Sequence, residues 1–240
     1  MKKISLMAAV FIGSMILLPG TAWGEEAAFP QYAQTIIQKM ESETEKGSMV
    51  ETGISFASVD EAKRFSAYFY RYGYWGEEPV KVALRSWPDQ PSNYELRISV
   101  EDARLAASQH RQVETALREV SDAIAAVSAD QRARAEAAYD WIYNHMEYDY
   151  TLQSKSMYTA LATGKTICVG YAEMFRTLCQ NLGMDCELIY GNNHVWNRVL
   201  IDGQWRYADI TWDKNLGEHR WRLVTESEWN ETHPVRKGTF

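Results

Sequence analysis

The string LIDGQW, residues 200 to 205, constrains the fold more than any other in this chain. Asp-Gly between two apolar runs is the strongest short-range signal for a two-residue hairpin, because both residues tolerate the positive φ that a type I′ turn demands. The turn sets a register: Ile201 faces Gln204, and counting outward puts Trp196 opposite Asp209 and His194 opposite Thr211. His194, Trp196 and Asp209 then share one face of an antiparallel sheet. The diagonal pair His194 and Asp209 has Cα atoms roughly 7 to 8 Å apart, within side-chain hydrogen-bonding reach. CELIY, just upstream, reads as a further strand.

Before the sheet lies GKTICVGYAEMFRTLC, residues 164 to 179. Ala172, Phe175, Leu178, Cys179 and Leu182 repeat at helical spacing, and Gly183 suits the left-handed stop position. Cys168 falls at or just before the first turn. A thiol there meets unpaired backbone N–H groups and the positive end of the helix dipole, which favour thiolate. The glycines at 164 and 170 let backbone and substrate approach closely. A carboxylate on one nitrogen of His194 fixes its tautomer and frees the other to take a thiol proton. A buried structural cysteine and an ion pair that only steadies the hairpin account for the same residues at this stage. The other histidines fit simpler roles: His110, His219 and His233 lie in polar surroundings, and His145 ends a helix.

The compartment makes Cys168 conspicuous. Residues 1–24, MKKISLMAAVFIGSMILLPGTAWG, have two lysines, an apolar run and a small-residue cut site, the pattern of a secretory signal peptide. The mature chain is expected outside the cytoplasm, secreted or in the cell envelope, with no membrane segment after cleavage. Three cysteines follow, an odd number for an exported chain. Cys179 and Cys186 are close enough in sequence for a tight bridge, worth about 2 to 3 kcal/mol on the loop-entropy model. Two reduced buried cysteines are the alternative. Cys168 is left over either way.

Formal charge is −7, falling to −9 once Lys2 and Lys3 leave with the signal. Nucleic acid, which is bound through clustered cations, is not an expected partner. GKT at 164 to 166 lacks the earlier glycine of a phosphate loop, since Thr159 stands there. No Cys-x-x-Cys, His-Glu-x-x-His or EF-hand spacing occurs, so no metal or cofactor is expected. Tryptophans 196, 205, 212, 221 and 229 fit a sheet core better than a sugar-binding surface.

Upstream, residues 25 to about 48 read as a helix, VETGISF as a strand and SVDEAKRFSAYFYRYGYWG as an amphipathic helix. VKVALRSW and YELRISV are strands joined by the turn-rich PDQPSN. Two long helices follow, the first carrying Val113, Leu117, Val120, Ile124 and Val127. The second opens at Ser128, with Gln131 completing a capping box. EYDYTLQSKSMYTALATGK is read as a loop. The expected division is an α/β accessory region at 25–110 and a core with its leading helices at 111–240.

GKTICVGYA, then HVWN, then DITWD, over about residues 145 to 215, resembles the core of the transglutaminase-like superfamily. Its bacterial secreted members show G-K-x-x-C-x-G-Y-A, H-A-W-N and D-x-T-W-D. The resemblance implies an α+β, papain-like fold, with the Cys-bearing helix packed on an antiparallel sheet. It makes Cys168 the nucleophile, His194 the base and Asp209 its orienter. Val195 replaces the usual alanine beside the base. The implied activity is thioester formation with glutamine side chains or peptide amides of a protein or peptide substrate, cell-wall protein included. Acyl transfer to an amine or water then gives crosslinking, deamidation or hydrolysis. The backbone N–H of Cys168 is the expected oxyanion donor, with Tyr158 or Trp196 as a side-chain candidate. The competing reading is a non-catalytic extracellular binding module that keeps the fold.

Overall fold

A computed structural model describes residues 10–11, 28–87 and 89–232. The stretch read as a signal, and Pro88 in the upstream turn, fall outside them apart from Val10 and Phe11. The chain divides into two units, Met1–Arg111 and Gln112–Phe240.

In the first unit, β1 (Val10–Phe11), β2 (Met49–Phe56), β3 (Val80–Trp87) and β4 (Gln90–Val100) form a sheet in the order β1-β3-β4-β2, antiparallel throughout. α1 (Phe29–Ser42) and α2 (Val59–Tyr68) supply the other half of its core: Ile36, Ile37, Met40 and Phe65 are buried with Leu96 and Ile98. The Ser58 hydroxyl caps α2 by accepting from the Glu61 N–H at 3.2 Å. The helix expected to reach Gly76 ends at Tyr68 and continues as one π-turn over residues 69–73. The upstream hairpin is tighter than its sequence implies, because Trp87 pairs with Gln90 and residues 90–93 join the strand.

α3 (Ala103–Val127) starts in the first unit and ends in the second. α4 (Gln131–His145) is capped by Asp130, not Ser128: the Asp130 carboxylate accepts from the Ala133 N–H at 2.7 Å. A carboxylate at the positive end of the helix outcompetes a hydroxyl for the cap. Ser128 instead accepts from the Asp130 N–H at 3.1 Å.

The presumed loop after α4 is largely ordered structure. β5 (Glu147–Tyr148) pairs parallel with β6 (Lys165–Thr166), and α5 (Met157–Thr163) lies between them. The Asp149 carboxylate accepts from the backbone of Thr151, Gln153 and Ser154 and from the Thr151 hydroxyl, at 2.6 to 3.0 Å. These bonds hold its pKa down to about 2.

α6 (Cys168–Asn181) follows, and then the sheet β7 (Cys186–Gly191), β8 (His194–Ile201) and β9 (Gln204–Ala208). α7 (Ile210–Leu216) and α8 (Glu226–Thr232) close the unit. α6 packs on β8 and on α4, burying Tyr171, Met174, Phe175 and Leu178. A cysteine-bearing helix on an antiparallel sheet is the α+β arrangement expected. Among the described residues no helix is long and apolar enough to cross a membrane.

Candidate active site

Cys168 is the first residue of α6, after an extended Ile167 whose side chain caps nothing. The turn packs tightly against β6: a Cβ on Gly170 would sit 1.9 Å from Thr166 Oγ1, so only glycine fits there. The Cys168 thiol is half-buried. Burial opposes its ionisation, but hydrogen bonding and charge from His194, with hydrogen bonds from the backbone of Val195 and Val169, hold its pKa below the ordinary thiol value.

His194 opens β8 opposite Gly191, across a two-residue turn in which Asn192 and Asn193 both have positive φ. On its far side the second hairpin keeps the expected register from Ile201↔Gln204 out to Asn197↔Ala208. There the ladder stops, and His194 has no strand partner in Thr211. The reason is local: Asp209 leaves the sheet and caps α7, its Oδ1 accepting from the Trp212 N–H at 3.0 Å, so Thr211 is buried inside a helix. The His194–Asp209 contact forms all the same. His194 Nε2 donates to the fully buried Asp209 Oδ2 at 2.6 Å, leaving Nδ1 for the thiol. Burial disfavours the imidazolium, yet Asp209 and Cys168 together push the His194 pKa up to about 9.

Residues that sequence reasoning passed over complete the surroundings. Trp212, expected in a sheet core, instead stands partly exposed on α7, where it stacks on His194 at 5.7 Å and 15°. Asp213, wholly buried, accepts from the Tyr139 hydroxyl and, through both oxygens at 3.1 Å, from the Trp221 N–H. Trp221 O in turn accepts from the Asp209 N–H at 3.1 Å. Burial raises the Asp213 pKa and the Asp209 charge adds to it, against hydrogen bonds from Tyr139 and Trp221. Asn197 Nδ2 donates to Ala172 O at 2.9 Å, tying β8 to the helix behind Cys168. Trp212, Asp213 and Asn197 lie inside the quoted motifs, which was their signal; Tyr139 had none.

Tyr158 is half-buried on α5. Trp196 lies 5.8 Å from the His194 ring, with its own ring in a buried cluster with Trp221 and Trp229. Cys179 and Cys186 are free, buried thiols, and burial followed by hydrogen bonding to Cys186 raises the Cys179 pKa well above normal. Among the described residues no three His, Cys, Asp or Glu side chains are grouped to hold a metal ion.

Residues 118–210 match the family model of the transglutaminase-like superfamily. The kyphoscoliosis peptidases of Mus musculus and Homo sapiens are each 30% identical to this chain over 119 residues, covering 40% of it and 18% of their own length. LIM and transglutaminase domain protein ltd-1 of Caenorhabditis elegans is 28% identical over 99 residues, 32% of this chain and 14% of that protein. The chain thus spans less than a fifth of these relatives. A crystal structure of a TGase aligns over 65% of this chain and 48% of its own, with TM-score 0.37 and 17% identity.

Proposed function

We propose, from the premise that residues 118–210 carry a transglutaminase-like core, that this chain is a thiol acyl-transfer enzyme acting on glutamine side chains or peptide amides. Cys168 is its nucleophile, His194 its acid and base, and Asp209 the orienter. The observation that carries the reading is the relay from a thiol with lowered pKa, through one imidazole, to a buried carboxylate 2.6 Å beyond it.

The lowered Cys168 pKa and a His194 pKa of about 9 both favour the thiolate–imidazolium form of the pair. The thiolate attacks the amide carbonyl carbon, and the oxyanion forms beside the backbone N–H groups at the head of α6. His194 passes its proton to the departing nitrogen, which leaves as ammonia or an amine while sulfur keeps the acyl group as a thioester. His194, now neutral, takes a proton from water or an incoming amine, whose attack releases the product and restores the thiolate. Above about pH 9 His194 has lost the proton that the leaving group needs, so acyl transfer declines there. The apolar leader in residues 1–24 supports export to the envelope or beyond, where such substrates are protein or peptide.

Intact-mass analysis after incubation with glutamine peptides and a labelled amine is the test. A thioester adduct that disappears in Cys168→Ala is expected. Label on the peptide means transfer; ammonia without label means deamidation. No adduct and no turnover at any amide would sink the assignment.

A further inference from the structure

Seven large hydrophobic residues stand exposed among the described residues, and four of them fall on two short segments bordering Cys168 and His194: Tyr150 (80%), Leu152 (51%), Trp212 (38%) and Leu216 (58%). Exposed apolar patches of this kind mark binding surfaces. These residues can be walked as a closed circuit around the thiol. Tyr148 lies within electrostatic reach of Cys168, and its ring packs edge-on against Tyr150 at 5.0 Å. The Tyr150 hydroxyl donates to Asn215 Oδ1 at 3.2 Å, which joins the loop to α7. One turn back along α7, Trp212 stacks on His194, and His194 returns to Cys168.

We propose that Tyr148, Tyr150, Trp212 and Leu216 form an apolar collar that seats an aromatic or branched aliphatic side chain next to the reactive amide, making it a specificity determinant. The proposal rests on the acyl-transfer reading above and names its preferred substrate. Two further observations favour an apolar occupant over a charged one. Lys214 pairs with Glu147 at 2.8 Å, and Asp149 and Asp213 are buried in hydrogen bonds, so these four charges are committed within the protein. The loop is also built rigidly: four donors hold the Asp149 carboxylate, and Leu152 is kept at φ +59 while its side chain faces solvent. A collar fixed in place loses little freedom when a ring is laid on it.

The test uses the full chain and two chloroacetamides with one warhead, N-phenethyl and N-(2-hydroxyethyl), each rate at Cys168 divided by its rate with free glutathione. The phenethyl probe is expected to label Cys168 at least about tenfold faster, the gain of covering much of one aromatic ring. Tyr150→Ser with Leu216→Ser is expected to remove most of that advantage; both side chains are solvent-facing, so their loss leaves the core intact. Equal normalised rates, with Cys168 still labelled faster than Cys179 and Cys186, would overturn the collar and leave the thiol enzyme standing. No selective labelling of Cys168 by either probe would remove both.

Discussion

The two ends of α6 carry the same side chain with its acidity pushed in opposite directions. At the first turn, Cys168 is half-exposed, faces an imidazole and backbone donors, and is pushed toward thiolate. Three turns later Cys179 is wholly buried against Cys186 and is pushed toward thiol. The helix dipole runs the same way, favouring an anion at the start and opposing one near the end. Reactivity therefore belongs to the position and its partners, since a cysteine alone supplies neither.

The sharpest way to erase that contrast is His194→Ala. Cys168 loses its largest stabilising partner, and its alkylation by iodoacetamide at pH 7 is expected to fall by about 10- to 100-fold, approaching the rate at Cys179. Peptide mapping after timed labelling measures both thiols in one sample. If Cys168 keeps its lead, the dipole and backbone suffice and the imidazole is dispensable.

Asp209→Asn probes the next link. Asparagine caps a helix as well as aspartate does, so thermal stability should change little. Turnover should drop by about 100-fold or more, because an amide no longer stabilises the imidazolium. Removing the carboxylate removes a cause that raises the His194 pKa, so that pKa should fall from about 9 toward 6.5, carrying the alkaline limit of turnover with it. An NMR titration of His194 reads the shift directly. An unmoved imidazole would separate Asp209 from the relay.

Two glycine substitutions give the smaller effects and separate the two ends again. Gly170→Ala drives a methyl into Thr166, and overpacking of this kind costs about 1 to 3 kcal/mol. The strain falls on the turn bearing Cys168, so labelling there should slow as well. Gly183→Ala meets no neighbour, but its φ of +79 is unfavourable to alanine and costs about 1 kcal/mol. Urea denaturation should register both losses, with Cys168 labelling changed only by the first.

The sequence carried the local geometry of this site better than its continuation. Asp202-Gly203 determines the β8–β9 register because a two-residue turn admits few alternatives, and the pairing follows it for five residue pairs. Extrapolation to Thr211 fails at Asp209. That residue satisfies both the strand pattern and a helix cap, and the choice between them is made by the Trp212 N–H and by Trp221, far along the chain. The same limit applies to residues 147–166. Their polar composition hides a helix and a parallel strand pair, held by Asp149 and by Thr166 rather than by any periodic apolar face. Tyr139 could not be connected to Asp213 from sequence, since 74 positions separate them and no spacing rule spans that distance.

The two oxygens of Asp209 serve different structures, one aiming the imidazole and the other starting α7. The cap of this seven-residue helix is thus the same carboxylate that orients the base. Loosening residues 210–216 would therefore release the carboxylate that aims His194 while leaving the thiol covalently intact. Trp212 rides on that same turn, so its stacking on the imidazole would be surrendered and regained together with the cap.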